Sequence, residues 1–249
     1  IRDRNKFLSN SGVASRRKCD EIIAQGQVSV NGKVVTEMGT TINEKKDKVM
    51  VNGKPVSLPK SFVYIKLNKP KGYICSAHDE NDNKEGRADK KKTQTPQEFD
   101  GEIKTDERLF SIGRLDYDTE GLIILTNDGD FANKVAHPRY NTEKEYRVTA
   151  EGEIVESELA VMRKGVVVDG ERMPRARVEK LSYENGFTKL SVVINEGQNR
   201  QVRRMFEAIG HQIKLLKRVR VGSVKLGGLS RGEYKDLTEE ELNSLVAGK

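Results

Sequence analysis

The apolar residues of this chain fall into short runs punctuated by glycine and asparagine, and the clearest run is LIIL, Leu122–Leu125. Gly121 bounds it on one side and Asn127-Asp128-Gly129 on the other. Consecutive apolar residues without alternation predict a strand buried on both faces. Immediately before it, GRLDYDTEG (Gly113–Gly121) carries one Arg, two Asp and one Glu. Charges of that density enter a core only when paired, so the pattern sets a polar loop against a rigid strand, where functional side chains tend to collect. A surface turn with solvated acids satisfies the same pattern. The Asp-x-Asp pair also suits half of a metal site, although no His or Cys ligand lies nearby in the sequence.

The rest of the chain reads as short elements on either side of this stretch. Asn5–Gly12 and Ser15–Gly26 are two short helices, the second capped by Ser15, with Cys19, Ile22 and Ile23 on one face. Val28–Val30 and Lys33–Val35 pair across Asn31-Gly32, and Lys48–Val51 precedes a second Asn-Gly turn at Asn52-Gly53. Residues 58–61, which contain Pro59, form a linker. Strands follow at Phe62–Leu67 and Tyr73–Ser76, joined by the turn Asn68–Gly72. Residues 78–108 hold almost no apolar side chains and many charges, which predicts a mobile loop, either a lid that touches a ligand or a plain insertion. Beyond LIIL come helices at Phe131–His137, Ile154–Lys164, Gln198–Ile209 and Glu239–Val246, the last with a Thr238/Glu241 capping box. Strands fall at Thr142–Val148, Gly165–Val168, Ala176–Ser182, Lys189–Ile194, Ile213–Val221 and Ser223–Leu226.

Composition narrows the partners. The net charge is +7, and residues 1–57 hold 11 basic against 6 acidic side chains, so most of the surplus sits in the first quarter of the chain. A basic module of this kind suits a polyanion. Arg16, Arg17 and Lys18 cluster in the first turn of the second helix, where free N–H groups also favour phosphate; a solvated basic face fits equally. Cys19 and Cys75 stand at no metal-ligand spacing and point to a reducing compartment, hence the cytoplasm. No apolar run reaches membrane length and no signal-peptide pattern opens the chain, which starts at Ile1 and so leaves its true N-terminus open. His78, His137 and His211 are scattered, so no zinc site is expected, and no phosphate loop or dinucleotide fingerprint appears.

Several strings resemble one enzyme family. GRLDxxTxGLxxLTNDG, Gly113–Gly129, resembles the catalytic motif of pseudouridine synthases of the RsuA/RluB/RluF branch; KLNKPKGYICS at 66–76 resembles the family's first motif, KxY at Lys144–Tyr146 its second, and EGxNRQVRRM at 196–205 its third. FLSNSGVASRRKCDEIIAQGQVSVNGK, residues 7–33, resembles the alpha-L RNA-binding module of a small-subunit ribosomal protein. The resemblance implies an α+β protein: a small α/β alpha-L RNA-binding domain at 1–57, the linker, and a catalytic domain at 62–249 around a mixed, mainly antiparallel sheet. It implies Asp116 as the catalytic carboxylate, Tyr146 as a stacking surface for the target base, and Arg203 paired with Asp116. On pattern alone Tyr146 is equally an ordinary strand aromatic, and the basic helix around Arg203 equally a wet face. Arg114 stands where it could fill the gap left by a flipped nucleotide. Lys69 and Lys71 are expected near the substrate strand, or in a supporting turn. Asn199, Arg200 and Arg204 complete the expected RNA contacts, and the Asn-Arg form at 199–200 resembles the large-subunit rRNA enzymes.

The implied substrate is ribosomal RNA or a pre-ribosomal particle, acted on by a monomer. Isomerising uridine conserves atoms and is redox-neutral, so no metal or cofactor is expected. Whether Asp116 attacks the ribose, attacks uracil or acts as a base stays open. A small-subunit rRNA enzyme and a non-catalytic RNA-binding assembly factor on the same fold are the competing readings.

Overall fold

The structure, a computed structural model, describes residues 1–73, 75, 103, 105, 107–137 and 140–247. The N-terminal module runs β1 (Arg2–Asp3), α1 (Arg4–Asn10), α2 (Arg16–Ala24), β2 (Val28–Val30), β3 (Lys33–Val34), β4 (Thr41–Ile42), β5 (Val49–Val51) and β6 (Lys54–Val56). Strands order as β3-β2-β5-β6, all antiparallel, and β1 pairs β4. Ser15 caps α2 by accepting from the Lys18 N–H at 3.3 Å. Phe7, Leu8, Cys19, Ile23, Val28, Ile42 and Val49 form this module's own core.

The remaining elements are β7 (Tyr64–Lys69), β8 (Phe110–Ile112), β9 (Glu120–Thr126), α3 (Gly129–Ala136), β10 (Lys144–Glu151), α4 (Glu156–Lys164), β11 (Val167–Val168), β12 (Glu171–Arg172), β13 (Arg177–Glu184), β14 (Phe187–Ile194), α5 (Gln201–Ala208), β15 (Ile213–Val221), β16 (Val224–Lys225), β17 (Tyr234–Asp236) and α6 (Glu239–Val246). One mixed sheet orders them β13-β14-β10-β15-β9-β7-β17, with β16 beside β15 and β8 beside β9. Its pairings are antiparallel except β15 with β9.

β9 is buried along its whole length. Period-two alternation sends Ile123 and Leu125 to the face covered by α4 (Leu159, Met162) and α5 (Val202, Met205, Phe206). Leu122 and Ile124 go to the other face, against Val135 of α3 and Leu245 of α6. The unalternated LIIL run is therefore a consequence of helices on both faces.

One edge of β9 is divided between two neighbours. β15 meets it only at Lys217–Glu120 and Arg218–Gly121, and β8 takes over at Ile112–Ile124. The interruption leaves the Leu122 carbonyl without a ladder partner on that edge, and the Arg218 Nε–H donates to it at 2.8 Å. Gly121, with φ +110°, makes the crossing possible: a Cβ there would lie 2.1 Å from the Arg218 carbonyl oxygen. Strand divergence at this point opens the sheet beneath the loop between β8 and β9.

The two modules touch at the start of α3. Asp130 pairs with Arg2 at 3.0 Å and Lys6 at 2.7 Å, and Asn10 packs so closely on Gly129 that a Cβ there would meet its Oδ1 at 2.2 Å.

One expectation needs revision. The helix expected at Gln198–Ile209 begins only at Gln201, because Arg200 adopts a left-handed backbone, φ +49°. Of the segment 78–108, expected to be a mobile or partly disordered loop, residues 78–102, 104 and 106 lie outside the described residues, while Ile103 is buried in the same core as Leu109. The expected strand Tyr73–Ser76 falls partly outside them too.

Candidate active site

A cleft of about 730 Å³ opens where β8, β9, β10 and β15 diverge, roofed by the segment that leads into α5. It gathers Arg114, Asp116, Tyr146, Asn199, Arg200 and Arg203 from three separate stretches of sequence. The loop carrying Asp116 is held from several sides. Its Thr119 N–H donates to the Asp116 carbonyl at 3.0 Å, the Gly72 N–H donates to the Tyr117 carbonyl at 2.7 Å, and the Leu115 N–H points at Cys75 Sγ at 3.4 Å. A loop anchored this way holds its side chains in fixed directions, as a reacting group requires.

Asp116 keeps 39% of its side chain exposed to the cleft, and Arg200 approaches its carboxylate at 3.7 Å. The expected Arg203–Asp116 pair is not formed. Arg203 instead places Nε 3.2 Å from Asp118 Oδ2 and donates through Nη2 to the Asp118 carbonyl at 2.8 Å. Arg200 also straddles the Asp118 carboxylate, both contacts at 3.2 Å. The reason is geometric: Asp118 lies two residues on, where the loop turns toward the start of α5. Burial pushes the Asp118 carboxyl upward, but Arg200 and Arg203 outweigh it and hold it below the usual carboxylate range. Burial lowers the Arg203 guanidinium, with Asp118 opposing the shift. The hydrogen bonds that Arg200 donates to Asp118 raise its guanidinium above the usual range.

Tyr146 is 8% exposed and shares the cleft wall with Lys144, two residues earlier on the same face of β10. Lys144 was not among the expected site residues. Its Nζ donates to the carbonyls of Thr142 at 2.9 Å and Asn195 at 3.0 Å, and burial pushes it below the ordinary lysine range, assisted by Arg218. The i, i+2 spacing with Tyr146 was the available signal. Arg218 was missed as well: it is 4% exposed in a strand whose other basic residues reach solvent, and nothing in the sequence marks it.

Other expected contacts separate from the cleft. Lys69 is not placed to meet a substrate: it is 1% exposed and its Nζ donates to the carbonyls of Pro70 at 2.9 Å and Tyr73 at 3.0 Å. Burial lowers its ammonium, and the acids of the neighbouring loop, Asp116 among them, oppose the shift. It therefore supports the turn beneath the Asp116 loop. Lys71 is exposed outside the cleft lining. Arg204 ties to Asp169 at 3.1 Å, away from the cleft. On the first module Arg16 and Arg17 are exposed, whereas Lys18 is engaged by Glu21 at 2.8 Å. Among the described residues no group of three His, Cys, Asp or Glu side chains could hold a metal ion, and no helix is long and apolar enough to cross a membrane.

Residues 63–208 match the family model for RNA pseudouridylate synthases, and residues 5–47 match the S4 domain. Ribosomal large subunit pseudouridine synthase B of Bacillus subtilis is 40% identical, covering 97% of this chain and 94% of that protein. The dual-specificity RNA pseudouridine synthase RluF of Escherichia coli is 38% identical over 97% of this chain and 77% of its own. A crystal structure of a pseudouridylate synthase superposes with a TM-score of 0.66 at 30% identity, covering 99% of this chain and 100% of the other. The chain belongs to the RNA pseudouridylate synthase family, in its RsuA/RluB/RluF-type branch, with an S4 domain ahead of the synthase domain.

Proposed function

We propose that this enzyme converts one specific uridine of large-subunit ribosomal RNA to pseudouridine, with Asp116 as its catalytic carboxylate. The observation that carries this reading is the cleft itself. A loop-mounted, half-exposed carboxylate, a buried tyrosine and two arginines converge there from distant parts of the chain. The relatives named for the large ribosomal subunit support the choice of RNA.

The reaction breaks the bond from uracil N1 to the ribose C1′ and forms one from C5 to C1′; C5 gives up its proton and N1 gains one. A stacked base cannot reach the cleft, so the nucleotide is flipped into it. Tyr146 then offers the base a stacking face that demands no particular sequence. Arg200, 3.7 Å from the Asp116 carboxylate, and Arg203 behind it set positive charge beside the reacting group. Arg114, exposed and lining the cleft, fills the space the nucleotide vacates. Asn199 and Arg200 meet the flanking strand. The division into an RNA-binding domain at 1–57, a linker at 58–61 and a catalytic domain at 62–249 belongs to this reading, with Arg16 and Arg17 on backbone phosphates. So do a cytoplasmic, monomeric enzyme and a place in ribosome biogenesis.

The test is pseudouridine mapping of total rRNA by carbodiimide modification and primer extension. The intact strain is compared with a deletion strain and with the deletion carrying Asp116→Asn. Loss of one large-subunit site on deletion, not restored by Asp116→Asn, is the expected result. A lost small-subunit site would move the substrate to the other rRNA. No lost site in either rRNA would remove the proposed substrate class, and restoration by Asp116→Asn would remove the catalytic assignment.

A further inference from the structure

Asp118 is the acid of the Asp-x-Asp pair that the chemistry above leaves unused, yet it carries most of the loop's contact with the arginines. Both its carboxylate oxygens face guanidinium groups: Oδ1 and Oδ2 receive Arg200 at 3.2 Å each, and Oδ2 lies 3.2 Å from Arg203 Nε. Its carbonyl accepts from Arg203 Nη2 at 2.8 Å, and Thr119 Oγ1 lies 3.5 Å from the same nitrogen. Among the described residues the one ion pair to Asp116 is the Arg200 approach at 3.7 Å.

Two guanidinium groups three residues apart at the start of α5 repel each other, and one negative charge between them holds both in place. The Thr119 N–H bond to the Asp116 carbonyl ties the two aspartates into one turn, so fixing Asp118 fixes Asp116. Arg200 holds a left-handed backbone, φ +49°, an arrangement unfavourable outside glycine and maintained by its surroundings. A tight two-pronged arginine pair on Asp116 would occupy both of its oxygens. With the arginines engaged by Asp118 instead, Asp116 lies in their positive field and still presents its carboxylate to the cleft.

We propose that Asp118 is a positioning residue for the isomerisation, holding Arg200 and Arg203 beside Asp116 while leaving Asp116 free to react. The proposal rests on Asp116 being the catalytic carboxylate.

The experiment measures tritium release from a large-subunit rRNA transcript labelled at uridine C5, for the full-length protein and the variants Asp118→Asn, Asp118→Glu and Asp116→Asn. Asp118→Asn should lower kcat about 10- to 100-fold, the scale of a misplaced reacting group. KM should rise no more than about fivefold, since Arg200 is one of several proposed RNA contacts and the rest are untouched. Asp118→Glu, which restores the charge, should return kcat to within about fivefold of the wild type. An Asp118→Asn enzyme with wild-type kcat overturns the proposal, as does Asp118→Glu being as slow as Asp118→Asn, which would mean a packing role. If Asp118→Asn fails to fold, Asp118→Ser is subject to the same expectations. Turnover surviving in Asp116→Asn would instead overturn the active-site reading, and so separates the two failures.

Discussion

Arg200 is the residue at which backbone cost and charge can be measured apart. Its left-handed conformation costs a non-glycine residue about 1–3 kcal/mol. Its side chain is 41% exposed and that of Asp118 is 32% exposed. After solvent screening their ion pair returns no more than about 1 kcal/mol. Arg200→Gly should therefore leave thermal stability unchanged or slightly raised, while turnover falls at least about 10-fold. Thermal unfolding and tritium release on the same preparation check both halves; a fully active Arg200→Gly enzyme would take the guanidinium out of the mechanism. Tyr146 makes a complementary case. If it stacks on the flipped base, Tyr146→Leu should forfeit about 1–3 kcal/mol, or about 5- to 150-fold in kcat/KM. Unchanged kcat/KM would return Tyr146 to the role of a strand aromatic. At this scale the sequence was legible for residue type and blind to pairing. Asp116 and Asp118 are two residues apart, and no spacing argument says which of them Arg203 reaches. Lys69 shows the same limit: its turn suits a substrate contact or a support equally, and only the packed turn shows its ammonium enclosed by the Pro70 and Tyr73 carbonyls.

Among the elements, β9 decides the architecture. Its burial on both faces was legible because four consecutive apolar residues leave neither side of a strand fit for water. The capping box of α6 and the Asn31-Gly32 turn between β2 and β3 were legible for similarly local reasons. The shared edge of β9 was not. Parallel pairing of β15 with β9 over two residues, and the Arg218 guanidinium standing in for a ladder hydrogen bond, arise from how distant strands diverge. Gly121 is where that arrangement is most exposed to test. Gly121→Ala would force a Cβ against the Arg218 carbonyl, 2.1 Å away, at a φ of +110° that side chains rarely adopt. The expected loss is about 3 kcal/mol or more, since backbone rather than a flexible side chain must yield. Urea unfolding measures it, and a variant within about 0.5 kcal/mol of the wild type would mean that β15 can shift freely against β9.

For the molecule as a whole, the open question is how firmly the basic N-terminal module is held against the synthase domain, because that sets where Arg16 and Arg17 stand relative to the cleft. Asp130 at the start of α3 is the hinge of this contact, reached by Arg2 and Lys6 from the other module. Burial pushes its carboxyl up, but Lys6 and Arg2 outweigh that and leave it below the usual carboxylate range. A carboxyl depressed in the docked state stabilises docking fully above its undocked value, near pH 4, and loses that contribution as pH falls through the docked value. With 43% of the Asp130 side chain exposed, the contribution is below about 1 kcal/mol. That is enough to shift the population of docked molecules severalfold but not to unfold either module. Asp130→Asn at pH 7 should therefore resemble the wild type at acid pH, with a larger radius of gyration by small-angle scattering and faster proteolytic cleavage at 58–61. The wild type should move toward the same values as pH drops below about 4 while Asp130→Asn changes less. Identical scattering and cleavage for the two proteins at pH 7 would assign the docking to the Asn10–Gly129 packing instead.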